Sequence, residues 1–137
     1  MLFRSETAIN RVTVHETAEE QLRWLRDSHA DFGIRDLILV GGESAKYSYP
    51  GPGVADTARM VRSAGLDYLL GGITIPSRAA EGGRLLAKHH AGIQFFTTQV
   101  LLEASHTTAL LRSLEGVATR LILSFTPISH QIGRAHV

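Results

Sequence analysis

Gly33-Ile34-Arg35-Asp36-Leu37-Ile38-Leu39-Val40-Gly41-Gly42-Glu43 is the stretch whose reading decides the fold. Its centre, Asp36 to Gly42, is an aliphatic run without alternating charge, the pattern of a strand covered on both faces and therefore parallel to its neighbours. A glycine pair closes the run and a carboxylate follows. Four other runs read the same way: Arg11 to His15, Tyr68 to Ile75, Ile93 to Gln99 and Arg120 to Ile128. The starts at 11, 36, 68, 93 and 120 recur every 25 to 32 residues, enough for a strand and one return helix each.

The intervening segments carry helical signals. Thr17-Ala18-Glu19-Glu20 is a capping box, in which the Thr17 hydroxyl and the Glu20 carboxylate satisfy each other's orphan amides, and it predicts a helix from about Thr17 to His29. Pro52 pre-sets a second helix before Val54, Ala58 and Val61, with Gly65 ending it. Leu85 and Leu86 lead to a stop at Gly92, and a last helix covers Ser105 to Leu114 with Gly116 after it.

A repeating βα pattern suits either an open doubly wound sheet or an eight-fold barrel. No Gly-x-Gly-x-x-Gly turn opens a helix here, so the expected fold is α/β, a partial (βα)8 TIM barrel with parallel strands alternating with helices. Four units and a fifth strand amount to roughly half of a barrel of ~250 residues. The expected organisation is a remnant over 1–10, the partial barrel over 11–130, and a non-native, adaptor-derived tail over 131–137.

Composition excludes several functions. Lys and Arg number 14 against 13 Asp and Glu, and the basic residues are scattered, so no stripe for a phosphate backbone exists and no nucleic-acid partner is expected. Without cysteine there is no disulfide, thiolate nucleophile or zinc ribbon. The apolar runs, such as Leu37 to Val40, fall far short of the ~20 residues of a membrane helix, and no apolar signal region follows Met1. A soluble, cytoplasmic product is expected, with homo-oligomerisation open. The seven histidines include no His-Glu-x-x-His, and His89 and His90 diverge on their helix, so no metal site is expected. No Gly-x-Ser-x-Gly elbow supports acyl transfer.

In a parallel barrel the chemistry gathers where strands end and βα loops begin. Glu43 follows Gly41-Gly42 at such an end: it either presents a carboxylate to a nitrogen-rich ring or is a solvated turn residue. Gln99 ends an otherwise apolar and hydroxylic strand, and its amide either reads the edge of a heterocycle or pairs with a neighbouring strand. Glu103 reads first as a carboxylate in a helix's opening turn, and Lys88 as a complement to a helix C-terminus that can also reach a phosphate. The loop Lys46 to Gly53 joins Tyr47 and Tyr49 to a stiff turn, either over a planar ligand or packed at the surface.

Four stretches together resemble the methylenetetrahydrofolate reductase family of flavin-linked barrels: Arg11 to Val14, Gly33 to Glu43, Ala91 to Gln99, and Leu121 to Ile128. The resemblance implies FAD and NAD(P)H as cofactors and flavin-mediated reduction of 5,10-methylenetetrahydrofolate in the intact parent, with the fragment itself inactive. It implies a catalytic carboxylate at Glu43 and substrate contacts at Gln99 and Glu103. Cofactor contacts are implied at Thr13, Gly42 and Lys88. Two positions depart from the family pattern, with Gly41 in place of an Arg and Ile75-Pro76 in place of Tyr-Pro. A flavin-free barrel enzyme or a folate-binding accessory protein is the alternative.

Overall fold

The computed structural model describes residues 7–101 and 103–126. These residues form five strands and four helices in strict alternation: β1 (Ile9–Val12), α1 (Ala18–Phe32), β2 (Asp36–Val40), α2 (Val54–Ser63), β3 (Leu69–Thr74), α3 (Glu81–Ala91), β4 (Phe95–Val100), α4 (Ala104–Ser113) and β5 (Arg120–Ser124). All strands are parallel and form one sheet in the order β1-β2-β3-β4-β5. Sequential order matters because right-handed crossovers between successive neighbours put every helix on the same face, whereas a doubly wound sheet reverses its order part-way. The fold is α/β, as the spacing predicts.

One face of the sheet and all four helices make the core. Leu37, Leu39, Leu70 and Phe96 are fully buried and share one cluster with Leu25 of α1, Ala58 and Val61 of α2, Leu85 of α3 and Leu110 of α4. The other face is different. Ile38 and Val40 are only half-buried, and Val12, Leu69 and Ile122 are 38%, 43% and 52% exposed. The near-continuous apolar runs led to the expectation of cover on both faces; among the described residues, cover exists on one.

The centre of the sheet is built from a glycine pair facing a phenylalanine pair. Gly71 sits beside Phe95 and Gly72 beside Phe96 in the parallel register. A side chain at Gly71 would collide with the Phe95 ring, and one at Gly72 would press on Phe96 at 3.2 Å. The two glycines therefore give β4's rings their place on opposite faces of the sheet.

Boundaries move by a few residues, each for a visible reason. β1 begins at Ile9, inside the segment read as a remnant, because its register opposes Ile9 to Leu37 and Val12 to Val40. The α1 capping box is present, but the helix continues to Phe32, where Gly33 takes the left-handed conformation (φ 63°) that ends it. α2 starts at Val54 with Gly53 as its N-cap, so Pro52 precedes the helix. β5 ends at Ser124. The tail expected over 131–137 lies outside the described residues.

Candidate functional site

At the C-terminal ends of β2, β3 and β4 the loops surround a cleft of about 510 Å³. β2 and the turn after it contribute Gly41, Gly42 and Glu43, and the first turn of α2 contributes Ala55 and Asp56. Ile73, Ile75 and Arg78 come from β3 and its loop, Lys88 from α3 and Gln99 from β4. The lining combines aliphatic side chains with five polar ones, Glu43, Asp56, Arg78, Lys88 and Gln99, and convergent polar groups of this kind orient a small molecule.

Each polar side chain has a local reason for its position. Glu43 and Gln99 follow or end strands whose alternate residues are committed to the core, and both are exposed to the cleft. Lys88 reaches back from the last turns of α3 to donate to the Ile73 carbonyl at 3.1 Å, leaving two of its N–H bonds for other partners. Burial pulls its ammonium below the usual lysine value; the nearby Glu81 opposes that, and Arg78 and Arg84 add to it. Gly42 lies under the Tyr49 ring, where any side chain would collide with it. Tyr49 in turn meets His15 edge-on at 5.9 Å and Tyr47 at 6.3 Å, so the tyrosine loop packs over the ends of β1 and β2.

The structure thus brings Gly42, Glu43, Lys88 and Gln99 to one cleft. Glu103 lines an adjoining hollow of about 210 Å³ that shares Ile75 and Gln99 with the cleft, and there its carboxylate is 3.8 Å from His106 Nδ1. Thr13 stands apart from both. It is fully buried, and its backbone N–H donates to the Val40 carbonyl at 3.0 Å while its hydroxyl is 3.5 Å from the same oxygen. Its role in the structure is to extend the pairing of β1 with β2.

Two charged residues escaped the sequence reading. Arg78 lies just beyond the end of β3, where nothing in the sequence separates it from a solvated loop cation. Glu81 carried no motif at all. Yet it is 4% exposed, with Oε1 accepting from the Thr74 hydroxyl at 2.8 Å and the Ile75 N–H at 2.9 Å. The available signal was its position seven residues before Lys88, which puts both on one face of α3.

Among the described residues, no three His, Asp or Glu side chains converge in a way that would hold a metal ion. Of the cofactor contacts that the resemblance implies, Gly42 and Lys88 line the cleft and Thr13 does not. Among the described residues no aromatic ring lines the cleft, and positions 41 and 75 supply a glycine and an isoleucine where the family pattern has a guanidinium and an aromatic face. No helix is long and apolar enough to cross a membrane among the described residues.

No family model matches the sequence, and no curated protein does. A solved structure does resemble this one, that of an uncharacterized protein from Clostridium thermocellum that binds two copies of 5-methyl-5,6,7,8-tetrahydrofolic acid. The TM-score is 0.64 at 20% identity, over 86% of this chain and 42% of the other. That likeness is one of fold. This chain spans less than half the length of its structural neighbour.

Proposed function

We propose that this chain binds a reduced folate in the cleft at the C-terminal ends of β2, β3 and β4, within a parallel barrel whose interior is the face of the sheet left bare here. The observation that carries the reading is the convergence of Glu43, Gln99 and Lys88 on one cleft with aliphatic walls. A pterin offers adjacent ring N–H and amino donors beside a carbonyl acceptor, and a carboxylate and an amide complement that edge. The glutamate tail of a folate is anionic, and Lys88 and Arg78 lie on the same cleft. The cleft volume lies in the range of pockets for ligands of this size. The folate-binding neighbour of like fold supports the choice of ligand class.

This reading assigns binding, and it follows the alternative to a flavin-linked reductase. Any chemistry on the bound folate would draw on Glu43, a carboxylate that lines the cleft. The test is a thermal-shift and calorimetric titration with 5-methyltetrahydrofolate, since a ligand specific to the folded state must raise the melting temperature. A saturable rise is expected, with Lys88→Met and Gln99→Ala each weakening affinity about tenfold, or ~1.4 kcal/mol. No shift at millimolar ligand, or wild-type affinity in both variants, would remove the proposal.

A further inference from the structure

The least explained group near the cleft is the carboxylate of Glu81. One of its oxygens is fully used, but Oε2 is buried and forms no hydrogen bond among the described residues. A buried, unsatisfied carboxylate oxygen is costly and calls for a reason. The charges around it supply one. Arg78 Nη1 is 3.8 Å from Oε2, and Lys88 lies two helical turns further along the same face of α3.

The anchoring of Glu81 is equally specific. The residue before it, Ala80, has φ 57°, and it is the single non-glycine residue with positive φ among the described residues. An alanine in this region is strained, and strain of this kind persists where the surroundings over-determine it. It turns the start of α3 so that the Glu81 side chain enters beneath the loop Ile75 to Arg78 and bonds to Thr74 and Ile75. Lys88 bonds to Ile73, the residue just before them. The acid and the base of one helix face thus grip three consecutive residues at the tip of β3, two of which, Ile73 and Ile75, line the cleft.

We propose that Glu81 is the positioning residue of this cleft: its buried carboxylate, fixed to the tip of β3, holds Lys88 and Arg78 as charged donors aimed at an anionic ligand group. Glu81 itself does not line the cleft, so it acts through the two cations. The inference rests on the folate-binding reading for the identity of the anion, a carboxylate of the glutamate tail. The electrostatics do not depend on that identity. Charged groups around Lys88 are Glu81 and Arg84 on its own helix, Arg78 in the loop before it, and Glu43 and Asp56 lining the same cleft from β2 and α2. Among these, Glu81 is the buried carboxylate, so its charge is the least screened.

The chain has two lysines, Lys46 and Lys88, and Lys46 is exposed, so it serves as an internal reference for amine labelling. Reaction with an acylating reagent across a pH series, read by peptide mass spectrometry, gives the titration midpoint of Lys88 with no ligand present. In Glu81→Gln the midpoint should move down, because a negative charge favouring the ammonium is gone, and labelling of Lys88 below the midpoint should rise about tenfold relative to Lys46. Arg78→Gln removes a like charge, so the midpoint should move up. A merely structural role for Glu81 would change the extent of labelling and leave the midpoint in place.

A folded Glu81→Gln protein with an unmoved midpoint overturns the proposal. If that variant does not fold, Thr74→Val decides, since it keeps the carboxylate but removes a hydroxyl that fixes it; the midpoint should again move down, and an unmoved one overturns the proposal. The folate titration of Lys88→Met separates the two claims. A shifted midpoint with unaltered folate affinity sustains the role of Glu81 and removes the folate reading alone.

Discussion

The two ends of the sheet treat their polar groups in opposite ways. At the N-terminal ends of the strands, the Arg62 guanidinium donates to the Tyr68 carbonyl at 2.8 Å, the Gly92 carbonyl at 2.9 Å and Gln94 Oε1 at 2.7 Å. Gln94 Oε1 also accepts from the Leu70 N–H at 3.0 Å, and the buried Tyr68 hydroxyl donates to the Leu25 carbonyl at 2.6 Å. His29 and Asp67 form a side-chain hydrogen bond beside them. This end ties α1, α2, β3 and β4 together and leaves little over. At the C-terminal end, Lys88 keeps spare donors, and Glu81 Oε2, 3.8 Å from Arg78 Nη1, accepts no hydrogen bond among the described residues. One end is spent on the fold, and the other holds groups in readiness.

The largest effect that would break this contrast lies at Arg62. Arg62→Ala removes three charge-assisted bonds and strands their acceptors, so urea denaturation should show a loss of about 3 kcal/mol. A loss below ~1 kcal/mol would mean that the base is no firmer than an ordinary surface. A smaller effect attends Asp67. Its hydrogen bond from His29 holds the carboxyl below its ordinary value of 3.8. A depressed folded value contributes stability above the ordinary value, and that contribution disappears as pH falls through the folded one. The wild type should therefore exceed Asp67→Asn in stability near neutrality and converge with it in acid. A constant difference at all pH values would contradict the assignment.

The smallest effect sharpens the contrast at the mouth. Ala80→Gly relieves a left-handed alanine while adding backbone entropy to the unfolded chain, so a net gain of about 0.5 kcal/mol is expected. Lys88 should keep its labelling midpoint, since Glu81 remains bonded to Thr74 and Ile75. A thermal melt and the labelling series check the two halves of that statement.

The order of elements was legible because each strand is an aliphatic run bounded by glycine or polar residues, and each helix carries a cap or a stop. Parallel pairing followed from the same runs. The open face was not legible, since Leu69 and Ile122 look in sequence like Leu70 and Leu121, and only the register separates exposed from buried. Glu43 and Gln99 could be nominated because they lie at the strand ends where barrels place ligands, and Lys88 because of its place late in a helix and the family resemblance. Thr13 also lies at such an end, but it turns into the pairing of β1 with β2. The spacing of Glu81 and Lys88 was legible, but the burial of Glu81 was not, for a physical reason: it depends on the left-handed turn at Ala80, which no residue preference announces.

The facing glycines and phenylalanines of β3 and β4 have a consequence for how this sequence can drift. Gly71 and Phe95 fill one volume between them, as do Gly72 and Phe96. A larger residue on β3 needs a smaller one at the matching place on β4, so the positions are free to change in pairs and constrained when changed singly. Lineages of this chain should therefore record exchanges of bulk across that seam as coordinated events.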